Sequence, residues 1–304
     1  MLTGIHFLLT YMCNLECDHC FLYCSPTAKG TFTLSQIKEV LKELVKIGTI
    51  ETVCFEGGEP FLHYPLMVNG VKIAHSMGFK TAIETNSYWA TSDENAELWL
   101  RPLREAGLSI LEISDDSFHH EEKDNPAKRA LAAARKLGIS VDLICIEKPT
   151  VEEGIGYVES VKEESKGEPI YIGPPKLRGR AIEKLIEGLP RKSWEEFTEC
   201  PLENLKDPKR VHLDSYGNIH LCQGLSMGNM WKTPFSVIVK NYNAETHPIC
   251  GPLVRGGPAL LAKEYNVQHE DKYVDACHFC SVICLALIER FPQYITPRQV
   301  YGLK

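Results

Sequence analysis

The sequence predicts an α/β protein, a partial (β/α)6 barrel followed by a small α+β region. Three observations lead there. Six short β-rich runs recur through residue 173, amphipathic helical stripes separate them, and the alternation stops near residue 180, after which cysteines gather again.

The runs are IHFLL (5–9), TVCFE (52–56), KTAIET (80–85), SILEIS (109–114), VDLICI (141–146) and PIYIG (169–173). The opening MLTGIHFLLT has neither a basic leader nor a small-residue cleavage site, so it is expected to be the first strand. LSQIKEVLKELVKI sets Leu34, Ile37, Val40, Leu41, Leu44 and Val45 on one face of a helix, and similar stripes lie near 93–106, 126–137 and 151–164. In such TIM-like folds the working residues sit at the carboxyl ends of the strands. RVHLDSYGNIHLC then predicts a β-hairpin turning at Tyr216-Gly217-Asn218. Residues 223–270 are rich in Gly, Pro, Asn and His with weak periodicity, and CHFCSVICLALIERF closes the chain with a helix. The expected division is 1–180 and 181–304.

A chain of 304 residues buries a full core, and 44% hydrophobic with 24% charged residues is ordinary for a globular protein. A formal net charge of -7 argues against a nucleic-acid partner. No apolar run approaches the roughly 20 residues that span a bilayer, so no membrane partner is expected and the location expected is cytoplasmic. Twelve cysteines without a secretion signal point to metal ligation more than to disulfides.

The first cluster, Cys13-x3-Cys17-x2-Cys20, falls just after strand 1, with Cys24 close behind. Three thiolates would hold an iron cube with one vacant coordination position, whereas four would close a structural Zn or Fe-S site. At the end of strand 2, Glu56-Gly57-Gly58-Glu59-Pro60 supplies backbone that a ligand can approach without side-chain obstruction. In this order the two motifs resemble the radical S-adenosylmethionine (SAM) superfamily, whose C-x3-C-x-Φ-C loop is matched by Cys13, Cys17, His19 and Cys20. The resemblance implies a 4Fe-4S cluster whose free iron chelates SAM, with the Glu56 to Pro60 element holding the SAM amino group. It further implies SAM contacts from Thr85 and Asn86 after strand 3 and from Ser114, Asp115 or Asp116 after strand 4, although turn and helix capping explains such residues too. Arg129 would pair with the SAM carboxylate by analogy, or lie on a solvated helix face.

Cys200, Cys222 within Gly217-x4-Cys222, and Cys277-x2-Cys280 offer ligands for a second four-coordinate centre. They resemble the SPASM or "twitch" domain, which binds one auxiliary 4Fe-4S cluster, and KLRGRA at 176–181 resembles the junction before it. The full SPASM pattern is not met, since CHFCSVIC gives C-x2-C-x3-C; zinc is the alternative occupant, and Cys250 and Cys284 are substitutes or bystanders. Cys54 is expected as a small buried hydrophobe. Cys145, near the end of strand 5, is either structural or faces substrate as a hydrogen-atom donor. His119 and His120 are adjacent and so do not share one helical face; a solvated loop is expected, with His119 within reach of substrate.

The resemblance implies reductive cleavage of SAM by an electron from a donor such as flavodoxin or ferredoxin, then hydrogen abstraction from substrate. A peptide substrate, epimerised or crosslinked, is favoured by the SPASM-like tail. A small-molecule dehydrogenase or tetrapyrrole-modifying enzyme is the alternative, and a non-enzymatic metal-stabilised module is the third. Against the peptide substrate, twelve residues before Cys13 are expected to leave no room for an amino-terminal peptide-recognition domain, a role a separate protein would then fill.

Overall fold

The computed structural model of the protein describes residues 1–121, 123–151, 161–165 and 168–303. Among the described residues the strands are β1 (Gly4–Thr10), β2 (Thr52–Gly57), β3 (Lys80–Thr85), β4 (Ile110–Ser114), β5 (Ser140–Ile146), β6 (Val161–Ser165), β7 (Glu168–Gly173), β8 (Lys192–Ser193), β9 (Arg210–Asp214), β10 (Asn218–Cys222), β11 (Leu225–Asn229) and β12 (Lys272–Tyr273). Ten form one sheet in the order β11-β10-β9-β1-β2-β3-β4-β5-β7-β6, and β8 pairs with β12. From β9 to β7 every pairing is parallel, while β6, β10 and β11 run antiparallel to their neighbours. The sheet does not close, but residues of β1 to β5, β7 and β9 all line a single cavity, so it curves round that space as a partial barrel.

The helices are α1 (Leu34–Ile47), α2 (Tyr64–Ser76), α3 (Asp93–Ala106), α4 (Pro126–Lys136), α5 (Arg180–Lys184), α6 (Phe235–Asn241), α7 (Cys250–Tyr265) and α8 (Ala276–Leu287). α1 shows how local sequence sets them. Thr33 and Gln36 form a capping box at its start, and Gly48 in the left-handed conformation (φ 76°) ends it. Its Ile37, Val40, Leu41 and Leu44 are fully buried, each worth about 1.5–3 kcal/mol. Phe7 and Phe55 stack beneath the sheet at 5.1 Å between centroids.

All six expected strands form, as do the hairpin and the closing helix. The helical stripe expected at 151–164 does not hold at its carboxyl end. Val161–Ser165 is instead β6, paired antiparallel along the outer edge of β7; ladder bonds to an otherwise open edge prevail over side-chain periodicity. Residues 152–160 lie outside the described residues. The weak pattern of 223–270 conceals α6 and α7. α7 is broken at Gly256 and Gly257, where a Cβ on Gly257 (φ +62°) would lie 2.3 Å from the backbone at Thr198 and Glu199. That close approach fixes the segment leading into Cys200. Among the described residues no helix is long and apolar enough to cross a membrane.

Candidate active site

The cysteine loop leaves β1 and folds back along it. The backbone amides of Tyr11 and Cys13 donate to Gly30 and Ser25 at 3.0 Å each. Cys13, Cys17, Cys20 and Cys24 all line one cavity of about 510 Å3, a volume suited to a drug-sized ligand. The Cys24 thiol donates to the Cys20 sulfur, and this bond, with the nearby Arg180 charge, lowers the Cys20 pKa. Burial pushes Cys13 up to about 12. Four sulfurs facing one space are a donor set that fits an iron-sulfur cluster.

The Gly57-Gly58 pair is explained by a neighbour that spacing does not reveal. Its backbone lies against the loop, with Gly58 N–H donating to Thr10 O at 2.7 Å and Glu59 N–H to Met12 O at 2.9 Å. A Cβ on Gly58 would stand 2.1 Å from Met12 O, and one on Gly57 (φ +132°) 2.4 Å from Thr10 O. Both glycines also border the cavity. Glu59 is fully buried, accepting from Phe61 N–H, Thr85 Oγ1 and Asn86 N–H at 2.8–3.0 Å. Burial raises its pKa to about 7 against those three bonds. Glu59 thus joins the ends of β2 and β3, and neither it nor Pro60 lines the cavity.

Thr85, Asn86 and Ser114 do line the cavity. The Asn86 amide donates to Asn14 Oδ1 at 3.0 Å and reaches Cys13 Sγ at 3.7 Å. Asp116 braces the site from behind: one oxygen accepts from Phe118 N–H and contacts His119 Nδ1 at 2.8 Å, the other accepts from Ile146 N–H at 3.2 Å. Asp115 accepts from Asn125. Arg129 is directed elsewhere, its Nε donating to Ala90 O at 2.5 Å and its Nη1 to Asp124 at 2.8 Å. Cys145 does not line the cavity, which on β5 meets its sequence neighbours Ile144 and Ile146.

The solvated loop expected at His119-His120 is overturned. Both side chains are enclosed, because His120 Nε2 bonds Ser114 O at 2.9 Å while His119 turns into the cavity. Burial opposes protonation of His119, but Asp116 and the Cys17 thiol outweigh it and raise its pKa to about 10. His19 packs on Phe118 with centroids 4.4 Å apart, and burial lowers its pKa to about 4.

A second, smaller cavity is lined by Cys200, Cys222, Cys277, Cys280 and Cys284. The last three share a face of α8 at i, i+3 and i+7, so Cys284 joins the four expected residues there. Cys280 and Cys284 sulfurs are 3.9 Å apart. Cys250 does not line this space, and its thiol is bonded to Tyr242.

The KLRGRA junction is a strap that ties the two sites together, a role its sequence did not reveal. Arg178 Nη1 lies 2.6 Å from Cys222 Sγ, and two residues on Arg180 donates to Cys17 O at 2.9 Å and Cys24 O at 2.7 Å. Gly179 between them (φ +57°) lies so close that a Cβ would meet the Phe21 carbonyl carbon at 2.7 Å. That Glu56 belongs to a layer of ionisable side chains inside the barrel was passed over as well: His6, Glu84, Glu112, Asp142 and His212 line the main cavity with it. Its signal was present, since each of the first five predicted strands and the first arm of the hairpin carries one such residue.

Residues 7–153 match the family model described as the Radical SAM superfamily. This stretch is a radical SAM domain. Relatives of the chain include the "Putative peptide biosynthesis protein YydG" of Bacillus subtilis strain 168, 23% identical over 85% of this chain and 72% of the relative. The "Antilisterial bacteriocin subtilosin biosynthesis protein AlbA" of the same organism is 44% identical over 19% of this chain and 12% of its own length. An "S-adenosylmethionine-dependent nucleotide dehydratase" of Selenomonas ruminantium is 35% identical over 26% of this chain and 27% of its own. The chain thus spans less than a third of the latter two.

Proposed function

We propose that this radical SAM protein cleaves SAM in the cavity beneath the cysteine loop and abstracts a hydrogen atom from a peptide, in a maturation step such as epimerisation or crosslinking. The observation that carries the peptide reading is the similarity to YydG, which extends over 85% of the chain and well beyond the radical SAM domain. A nucleotide-sized substrate is the second reading, favoured by the 80-residue match to the dehydratase.

In this reading Cys13, Cys17 and Cys20 hold a 4Fe-4S cluster, and Cys24 remains a hydrogen-bond donor to Cys20. When bound, that cluster supplies the electron that breaks a carbon–sulfur bond of SAM, received in turn from a donor of the flavodoxin or ferredoxin type. Asn86 and Asn14 brace Cys13, while Gly57, Gly58, Thr85 and Ser114 border the space SAM would fill. Leu15, Phe21, Leu22 and Ile144 line the same cavity and keep water from the reacting carbon. Cys200, Cys222, Cys277 and Cys280 hold an auxiliary cluster, with Cys284 at hand, and Arg178 offers it a charged donor.

The test is anaerobic incubation of the reconstituted protein with SAM, a strong reductant and synthetic peptides encoded beside its gene. Formation of 5′-deoxyadenosine with a mass or stereochemical change in one peptide is the expected result. No 5′-deoxyadenosine from fully loaded protein would overturn the radical chemistry. Its formation with a nucleotide altered and every peptide intact would overturn the peptide reading alone.

A further inference from the structure

The floor of the main cavity holds a constellation that neither cysteine site uses. His6 on β1, Glu56 on β2 and His212 on β9 come from three adjacent strands, with His6 and His212 opposite one another in the ladder. His6 Nδ1 lies 2.9 Å from Glu56 Oε2, His212 Nε2 lies 3.2 Å from Glu56 Oε1, and all three ligating atoms fall within 4.8 Å of one another. Bonds of about 2.05 Å to a metal ion put neighbouring ligand atoms about 2.9 Å apart in octahedral and about 3.4 Å apart in tetrahedral geometry. The two nitrogen–oxygen contacts, one to each oxygen of Glu56, lie within that range, and the third edge is within 4.8 Å.

We propose that His6, Glu56 and His212 bind one divalent transition-metal ion inside the barrel, at a site separate from both groups of cysteines.

Two nitrogens and a carboxylate facing an open cavity are the donor set of mononuclear zinc and non-haem iron centres. Hydrogen bonding alone leaves this group poorly satisfied. Gln223 Oε1 is buried without a partner, and the Gln223 amide nitrogen sits 3.2 Å from His212 Nε2, the same atom that faces Glu56. A ring nitrogen that serves a carboxylate and an amide at once is better used as a lone-pair donor to a cation.

The surroundings also favour a cation. Glu84, Glu112 and Asp142 line the cavity beside Glu56, in register across β3, β4 and β5. Among the described residues the cations lining it are His119, held by Asp116 at 2.8 Å, Lys176, already paired with Glu203 at 3.0 Å, and Arg210. Glu84 shares a hydrogen bond with Glu56, the outer-shell contact that orients a ligating carboxylate. The ion's remaining positions would open into the cavity beneath the cysteine loop, where an acyl oxygen of substrate could complete the coordination.

The test uses full-length protein with its iron-sulfur sites reconstituted. Zinc ion is added anaerobically, excess is removed by gel filtration, and zinc per chain is counted by mass spectrometry. One zinc is expected, with an X-ray absorption edge fitted by nitrogen and oxygen and no sulfur, and a zinc-dependent rise in Tm. H6A and H212A should each weaken binding at least tenfold, whereas C13A should keep the zinc although it loses iron. Zinc ligated by sulfur, or no retention and no shift of Tm in the unmodified protein, would overturn the proposal. So would undiminished zinc in a folded H6A/H212A double variant. If that variant fails to fold, the absorption edge of the unmodified protein decides.

Discussion

Arg180→Ala should empty the amino-terminal iron site while leaving the cluster proposed at the carboxyl-terminal cysteines filled. The side chain is buried at 8% exposure and donates to Cys17 O and Cys24 O, and its backbone amide donates to Cys20 O at 3.0 Å. A hydrogen bond from a charged donor is worth about 1.5–3 kcal/mol, so removing two costs about 3–6 kcal/mol of loop order. That is a large fraction of the roughly 5–15 kcal/mol that holds a domain folded. Arg180→Lys, with one compact ammonium, should recover about half, because it cannot bridge both carbonyls as the planar fork does. The assay is iron and sulfide per chain after anaerobic reconstitution, beside a thermal melt. Arg178→Ala serves as the mirror control, since that guanidinium lies on Cys222 and should affect the second site first. Unchanged iron content and Tm in Arg180→Ala would refute the view that this strap holds the cysteine loop.

Single changes Cys13→Ala, Cys17→Ala and Cys20→Ala should abolish 5′-deoxyadenosine formation, while Cys24→Ala should retain part of it; chromatography of the quenched reaction reads both. Gly58→Ala would drive a methyl group into the Met12 carbonyl, a backbone atom that cannot swing aside, and should cost at least about 1–3 kcal/mol in urea unfolding and lower the iron bound. Glu43 tests the electrostatics away from the site. Burial opposes its ionisation, but bonds from Lys46 at 2.5 Å and from Ser236 N–H and Oγ at 3.2 and 2.8 Å hold its pKa below the ordinary 4.5. A carboxylate depressed on folding stabilises above its unfolded pKa, and that contribution is lost as pH falls through the folded value. Glu43→Gln should therefore cost about 1–2 kcal/mol at pH 7 and progressively less below about pH 4.5, as compared by urea titrations at both pH values.

Much of this molecule was legible along the chain. Alternating strands and helices, the Cys13-x3-Cys17-x2-Cys20 spacing and the glycine pair after β2 are local features, set by periodicity, by the reach of a short loop and by φ angles that glycine tolerates. The edge strand β6 and the broken helix α7 were not legible, because pairing with β7 and close contact with residues 197–199 outweigh side-chain pattern. Nor could spacing say that Glu59 and Asp116 brace the site from behind, that His119 turns inward, or that Arg129 points to Ala90.

By itself, then, the sequence determined which chemistry the loop can host, since three thiols and two glycines at fixed spacing need only neighbouring residues to define them. Tertiary structure alone decided what meets across the barrel. His6 and His212 are 206 positions apart, and Arg180 and Cys17 are 163 apart. Only parallel pairing of β9 with β1 and the packing of the 178–180 strap bring such groups within hydrogen-bonding reach, and no local periodicity encodes contacts that chain closure creates.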